Sequence, residues 1–422
     1  MLLAGALILL PANGHAQITV TLDEAVQRAL VRSPQMAQSE QSVSNAQLTH
    51  RQSWGSFLPS LSASSSGSLR STSRFDPNTD RIVEGSSDSY SASLSASYTV
   101  FQGGRRFAEM SAARADLNAA EARRIDQRFQ VALQTKQLFF AALRQDELLE
   151  VARQRVTQAQ QTLDLVRTQI RVGTGTVSDS LRARLDLVNA RQTVLEFETA
   201  LRAARFALGR QIGEGRPVEP VRPGSLEPTP LGLSDEEVYV LAEEESPSVR
   251  AARESTESAA AAVRSAKTAW FPSLSLSSGY SWANQDASLA GGTTSWSLSM
   301  RASYPIFNGF QRGSTIDRAQ FAQRVSRLQE DDSRLAARQE ADAALQELRT
   351  AEQAIAIAEE ANLVAQEDLR VVTERYRVSV ATILDLVTSQ ISAAQAAADV
   401  VTSRYDYLLA RAQLEAVLGR EL

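Results

Sequence analysis

Hydrophobic and polar positions follow two periods along this chain of 422 residues. Four segments alternate apolar and polar residues, and serine fills most of the polar positions: 60–66, 89–100, 274–282 and 296–306. A period of two predicts strands with one apolar face, arranged here as two β-hairpins over 60–101 and 272–307. The length of each strand is close to the ~9–11 residues that a tilted strand needs to cross a bilayer. A half-buried soluble sheet is the alternative.

Aromatic residues near the strand ends favour the membrane interpretation, because tyrosine and tryptophan collect at both interfaces of membrane barrels. The predicted aromatic belt consists of Tyr90, Tyr98, Tyr280, Trp282, Trp296 and Tyr304. The apolar strand faces would then meet lipid, and the serine faces would meet water.

Elsewhere the apolar residues recur every three or four positions, which predicts helices. Two stretches, 107–172 and 313–378, contain no proline, and as helices each would be roughly 100 Å long. Their apolar stripes have the spacing of a coiled-coil seam. The first comprises Leu148, Ala152, Val156, Ala159, Leu163, Val166 and Ile170, and the second Ile357, Ala361, Ala365, Leu369, Val372 and Tyr376. Each long helix turns at a tip into a return helix, 176–209 or 382–419, and single helices over 22–54 and 234–270 precede the hairpins.

The chain is an internal duplication. Ser33-Pro34 returns as Ser246-Pro247 at an offset of 213, and from Ser97 onward the offset is 206. A register held this long indicates two structural repeats, 17–212 and 234–422. The proline-rich segment 213–233 between them is predicted to be a linker without a core. The change in offset predicts a loop of variable length over 71–89.

The N-terminus, residues 1–16, has the pattern of an export signal, an apolar run followed by the small-x-small sequence Gly14-His15-Ala16. A buried N-terminal strand or helix is the alternative. Four strands cannot close a barrel, and bacterial single-chain barrels begin at eight strands. Several copies must therefore combine, giving eight, twelve or sixteen strands for two, three or four copies, and counting does not choose among them.

Composition removes several function classes. The chain has no cysteine, only two histidines and a net charge of −5. These values argue against disulfides, a lipid-anchor cysteine, histidine-based catalysis, histidine-rich metal sites and nucleic-acid binding. We predict no enzyme activity, no cofactor and no metal site.

Several short motifs, in this order and duplicated, resemble the TolC family of outer-membrane efflux and secretion channels. They are Leu22-Asp23-Glu24-Ala25-Val26, Ser33-Pro34, Phe57-Leu58-Pro59-Ser60-Leu61, Tyr98-Thr99-Val100-Phe101-Gln102-Gly103-Gly104-Arg105, Val172-Gly173-Thr174-Gly175-Thr176, Leu208-Gly209 and Leu418-Gly419. The resemblance implies a mainly α protein with membrane β-strands. In the outer membrane, a homotrimer would close a 12-stranded β-barrel continuous with a 12-helix α-barrel in the periplasm.

The resemblance also implies partners and a function. The trimer would be a passive conduit docked, through a periplasmic adaptor (membrane fusion) protein, to an inner-membrane pump of the ABC, RND or MFS class. A trimeric coiled-coil adhesive surface protein is the alternative from another class. The internal, duplicated hairpins favour the channel, since such adhesins usually carry a single terminal anchor.

The family's functional positions fall at the tips. The resemblance implies that Asp385 narrows the periplasmic entrance, with Thr388 where the family has a second acid, and with Asp179 and Arg182 at the corresponding places of the first repeat. The alternative is that these aspartates are acids in the first turn of a helix, where the helix dipole favours negative charge. The expected adaptor contacts are Arg171, Val172, Gly173, Thr174, Gly175, Val378 and Ser379. The alternative is a plain turn whose glycines supply positive φ, and the second tip has no glycine.

Overall fold

The computed structural model describes residues 18–78, 80–224, 227–285 and 290–422. The predicted export signal, 1–16, lies outside the described residues. The elements in chain order are β1 (Ile18–Val20), α1 (Leu22–Arg32), α2 (Pro34–Gly55), β2 (Ser60–Asp76), β3 (Arg81–Gln102), α3 (Arg105–Arg171), α4 (Val177–Gln211), β4 (Val218–Pro220), α5 (Asp235–Glu245), α6 (Pro247–Lys267), β5 (Ser273–Asn284), β6 (Thr293–Ser303), α7 (Gln311–Arg377) and α8 (Ile383–Leu418).

The chain forms two compact units, and each unit contains parts of both sequence repeats. The helical unit comprises Met1–Glu40, Arg123–Val249 and Arg334–Leu422, and the sheet unit comprises Gln41–Ala122 and Arg250–Ser333. The duplicated segments of sequence are therefore different from the compact units of the structure.

In the sheet unit, four antiparallel strands pair in the order β2-β3-β5-β6. One face carries serine pairs whose hydroxyls hydrogen-bond across the strands at 2.6–2.8 Å: 60/97, 62/95, 64/93, 66/91, 68/89, 277/299 and 281/295. The other face carries exposed apolar residues, including Leu61, Leu94, Leu298 and Met300. The period of two therefore separates the two faces as predicted. Within the described residues, β2 and β6 each pair on one side only.

The prediction of a loop over 71–89 is wrong. β2 continues to Asp76 and β3 begins at Arg81, so the two strands pair in unbroken register from Ser60/Ser97 to Asp76/Arg81. The ladder is made by backbone groups, so serine and threonine extend it although the apolar alternation has ended. The first hairpin, with strands of 17 and 22 residues, is longer than the second, with 12 and 11.

The two helices that precede the hairpins are each broken once, although each was predicted to be continuous. Ser33 and Ser246 adopt extended conformations with ψ of 127° and 143°. Proline disfavours the helical conformation of the residue before it, and it is well placed at the first position of a helix. Pro34 and Pro247 therefore each end one helix and begin the next.

The long helices α3 and α7 each contain 67 residues, and their bounds lie within two residues of those predicted. The first stripe packs as expected, with Ala152, Ala159, Leu163 and Val166 buried. In the second stripe, the prediction that the residues pack within the chain is wrong for the two residues farthest from the tip.

Ile357 in that stripe is 68% exposed and Ala361 is also exposed, whereas Ile355 and Ala358 are buried instead. Isoleucine stands at both 355 and 357, so apolar character alone does not decide which side of the helix turns inward.

Among the described helices, none combines the length and the apolar character that crossing a membrane requires.

The proline-rich segment was predicted to have no core, and this is wrong. β4 within it pairs in parallel with β1, and Val218 and Val20 are both buried. These valines join a cluster that includes Phe139, Leu208 and Tyr405 of the helical unit. Strand pairing and the buried Val218 together hold the segment, and its prolines are compatible with this because they are tolerated at strand ends and sheet edges.

We expect Gly209→Ala to lower the stability of the helical unit by about 1–3 kcal/mol, the usual cost of overpacking. A Cβ at Gly209 would lie 2.2 Å from the Arg216 carbonyl oxygen, so the backbone after α4 would have to shift. Thermal unfolding followed by circular dichroism measures the effect. The matched control is Gly215→Ala, because a Cβ there has open space around it. Equal transition temperatures for the two variants would contradict the prediction.

Candidate functional site at the helix tips

Both tips, the turns between α3 and α4 and between α7 and α8, have the same backbone conformation. Gly173 and Ser379 occupy corresponding positions, with φ of 83° and 60°. One residue later, Thr174 N donates to the Gln169 carbonyl at 2.9 Å, and Val380 N donates to the Arg375 carbonyl at 2.8 Å. Lack of glycine in the second tip therefore does not change its turn. Ser379 accepts a left-handed conformation that costs a residue with a side chain about 1–2 kcal/mol.

The two aspartates predicted at the entrance belong to capping boxes, each at the third helical position after a threonine N-cap. Asp385 Oδ2 accepts hydrogen bonds from the Thr382 backbone N–H at 2.8 Å and from its hydroxyl at 2.7 Å. In return, the Thr382 hydroxyl accepts a bond from Asp385 N at 3.2 Å. Asp179 and Thr176 form the same reciprocal box at the start of α4. Both aspartates thus satisfy the alternative interpretation, an acid in the first turn of a helix.

The hydrogen bonds from Thr382, first that of its backbone N–H and then that of its hydroxyl, hold the pKa of Asp385 below its usual range. The side chain is exposed, and its Oδ1 accepts no hydrogen bond from the described residues. The cap therefore fixes one oxygen of an ionised carboxylate and leaves the other toward solvent.

A cluster of buried side chains from α3, α4, α7 and α8 lies beneath the tips. Its apolar members are Ala159, Leu163, Val166, Ala183, Leu187, Ala190, Tyr376, Ile383 and Leu386. Two polar contacts join helices within it: Gln390 Nε2 donates to Thr162 Oγ1 at 2.8 Å, and Ser389 Oγ donates to the Asp368 carboxylate at 2.6 Å. Such packing holds the tips on rigid elements.

The structure brings the two tips next to each other. Gln169 Nε2 before the first tip donates to the Tyr376 carbonyl before the second, at 3.3 Å. Burial and the charge of Asp179 both raise the pKa of the Tyr376 hydroxyl. One surface therefore contains residues from both repeats.

The predicted contact residues lie on this surface. Among them, Val172 is 68% and Val378 is 69% exposed. Arg171, Gly173, Thr174 and Ser379 are also exposed, and Gly175 is half-buried. Of the entrance residues, Asp385, Thr388 and Arg182 are exposed and Asp179 is half-buried.

Sequence reasoning missed two exposed apolar residues, Val380 and Leu384, on either side of the second cap. Their apolar character beside a turn was the available signal. Together with Val172 and Val378 they leave an apolar area at the tips that the described residues do not cover.

Five of the six predicted belt residues lie near a hairpin turn or near a junction of strand and helix, whereas Tyr90 lies in the middle of β3. Tyr280 pairs with Trp296, and Trp282 Nε1 donates to the Gly291 carbonyl at 2.9 Å near the hairpin turn. Tyr98 and Tyr304 lie at the other end, where the strands lead into α3 and α7. Tyr90 lies on β3 opposite Gly67. No group of three or more metal-ligating side chains that could hold an ion occurs among the described residues.

Comparison with known proteins identifies the family to which the chain belongs. The model of the outer membrane efflux protein family matches residues 25–214 and 238–420, and the chain belongs to this family. The match covers both repeats. It confirms the predicted family and the predicted location in the outer membrane, and nothing in the comparisons supports an adhesive protein.

Two curated relatives show the distance within the family. The probable efflux pump outer membrane protein SepC of Pseudomonas putida is 27% identical over 237 residues, which are 54% of this chain and 48% of SepC. The cation efflux system protein CusC of Escherichia coli is 25% identical over 308 residues, 71% of this chain and 65% of CusC. The chain thus aligns with about half to two thirds of the length of these relatives.

A crystal structure of CusC superimposes with a TM-score of 0.82 and 21% identity, covering 94% of this chain and 92% of CusC. At this identity the likeness shows the fold. The predicted fold class, mainly helical with a smaller antiparallel sheet as in CusC, is therefore confirmed, while insertion of the strands into a membrane, the trimer and the number of barrel strands stay predictions.

We expect Asp385→Asn to be less stable than the wild type at neutral pH, with a difference that closes in acid. The lowered pKa means that the aspartate stabilises the fold above its ordinary pKa of about 3.9 and loses this effect as the pH falls. Asparagine accepts the same hydrogen bonds more weakly, because it carries no charge. Transition temperatures between about pH 3 and pH 7 measure the difference.

Thr382→Ala serves as the control, since it removes the hydroxyl from the same box while keeping the acid. The double variant should lose less stability than the sum of the two single losses, because the two residues share the hydrogen bond of the threonine hydroxyl. A pH-independent difference for Asp385→Asn would contradict the cap.

Proposed function

We propose that the chain is the outer membrane channel of an export system, a passive conduit from the periplasm to the exterior. The observation that carries this proposal is the division of the sheet into an apolar face and a face of paired serines. Lipid suits the first face and water the second. Membership of the efflux family supports the same function.

We further propose that three copies assemble. β2 and β6 lack a partner on their outer sides within the described residues, and unpaired backbone groups are costly in lipid. Three copies would pair these edges with each other and form a closed barrel of twelve strands. Exposed apolar residues on the long helices, such as Ile357, Leu363 and Val364, would then contact the neighbouring copies.

At the tips, we propose a docking surface for a periplasmic adaptor protein that connects the channel to an inner-membrane pump of the ABC, RND or MFS class. The exposed valines at 172, 378 and 380 and the rigid cluster beneath them support this role. The energy for transport and much of the choice of cargo would belong to the pump.

We propose that Asp385, with Asp179, narrows and charges the entrance. Both carboxylates are fixed by their caps, and three symmetry-related acids around a pore axis would attract cations and repel anions. Thr388 lies one helical turn beyond Asp385 and carries no charge, so a second acidic ring is absent at that position.

Single-channel recordings in planar bilayers test the conduit. We expect stable pores that prefer cations, and Asp385→Asn should lower the cation-to-anion permeability ratio by about half, because it removes one charge per copy from the entrance. Thr382→Ala should keep the ratio, since it weakens the cap without removing the charge. Absence of discrete conductance would reject the channel and leave the adhesive protein as the better explanation.

For the docking surface, Gly173→Trp should abolish export while the trimer and its conductance remain intact. A Cβ at Gly173 has open space around it, so the bulky ring would project from the tip instead of disturbing the core. Export of a cargo in cells that contain the matching adaptor and pump measures the effect.

Gly173→Ala is the matched control, because it imposes the same strain at positive φ without the bulk. It should retain most export. Equal export by the tryptophan variant and the wild type would remove the docking proposal and leave the conduit unaffected.

A further inference from the structure

Each repeat places one arginine of the long helix between two aromatic rings at the junction of strand and helix. The Arg106 guanidinium carbon lies 5.7 Å from the centre of the Phe57 ring and 5.1 Å from that of Tyr98. Arg312, at the corresponding position, lies 4.7 Å from Trp270 and 5.5 Å from Tyr304. These distances permit cation–π attraction to both rings.

The two arginines differ in how their donors are used. Arg312 is only 7% exposed and donates to the carbonyls of Pro305 and Ile306, the second at 3.1 Å. It therefore fixes the segment that leads from β6 into α7. Arg106 is half-buried and makes no ion pair or hydrogen bond with any described residue. Its guanidinium keeps its donors available to a molecule outside the chain.

The surroundings of Arg106 are apolar. Tyr98 lies in the same cross-strand row as Leu276 and Met300, on the face opposite the serine pairs. Exposed apolar residues continue around the junction: Trp54, Leu58, Leu61, Phe101 and Phe107. The nearest acid along the helix, Glu109, is paired with Arg105 at 2.6 Å.

Arg106 thus lies near exposed aromatic rings at the end of an apolar strand face. Aromatic and cationic side chains take such positions at the border between the acyl chains and the headgroups of a membrane. The ligand that matches this arginine is an anion attached to an apolar body. A guanidinium whose donors are not used within the chain can form paired hydrogen bonds with phosphate oxygens.

We propose that Arg106 binds the phosphate of a membrane phospholipid headgroup in the leaflet from which the strands pass into the helices. The aromatic rings orient the guanidinium, and the surrounding apolar residues contact the acyl chains. This inference rests on the proposed insertion of the apolar strand face into the membrane. Arg312, whose Nη2 donates to two backbone carbonyls, is assigned to the junction itself.

The test measures binding of phosphatidylglycerol to the purified full-length channel in detergent, by native mass spectrometry. Diacylglycerol with the same acyl chains is the phosphate-free comparison. We expect the wild type to bind phosphatidylglycerol more tightly than diacylglycerol, and Arg106→Gln to weaken that binding about tenfold, the size of one charge-assisted contact. Arg114→Gln, which removes an exposed arginine farther along α3, should bind as the wild type does.

Three results would overturn the proposal: unchanged binding by Arg106→Gln, equal losses in Arg106→Gln and Arg114→Gln, or full displacement of the lipid by millimolar inorganic phosphate, which would indicate a site for free anions. If Arg106→Gln does not assemble, Arg106→Lys replaces it. Lysine keeps the charge but lacks the planar group that can bond two phosphate oxygens, so binding should weaken about threefold. Unchanged binding by this variant would also overturn the proposal.

Conductance of the same wild-type sample separates this inference from the proposed function. A channel that conducts but does not distinguish the two lipids would reject the lipid site alone. A chain that neither inserts nor conducts would reject the conduit itself.

Discussion

Backbone hydrogen bonding at the borders of a four-stranded sheet constrains everything else proposed for this protein. The strands pair internally over long ladders, yet β2 and β6 each have one side without a partner in the described residues. In water such edges are tolerable, but in lipid each unpaired N–H and C=O is costly. The proposed assembly in a ring would satisfy these groups without covering the apolar face that lipid would solvate.

The helices show how one duplicated sequence can produce similar surfaces with different uses. Gly173 and Ser379 give the two tips one turn, and matching threonine–aspartate boxes begin the helices that follow. Arg106 and Arg312 lie between equivalent rings, but only Arg312 uses its donors on the backbone. Duplication conserved the geometry of these places, and small local differences can assign one copy to architecture and the other to a partner.

Much of this structure could be predicted from the sequence, because its main elements are long and periodic. The period of two located the strands, and the absence of proline located α3 and α7 to within two residues. Errors arose where local chemistry competes with pattern. Pro34 and Pro247 were used as markers of the repeat, yet their effect on the preceding serine, a break in the helix, was overlooked. Ile355 and Ile357 are equally apolar, and only packing decides between them. At the tips, the turns between the helices occur where they were predicted, but a serine at positive φ has no sequence signature.

The paired serines of the sheet have a consequence for whatever moves past them. Within each pair one hydroxyl donates to the other across the strands at 2.6–2.8 Å, so every pair keeps one donor and several acceptor lone pairs for water. A face of this kind is wettable, and Arg301, which pairs with Ser275 on β5, is a charged side chain among its neutral hydroxyls. In the proposed channel, such a lining would hold water between itself and a passing solute, so solutes that share little chemistry would meet much the same surface.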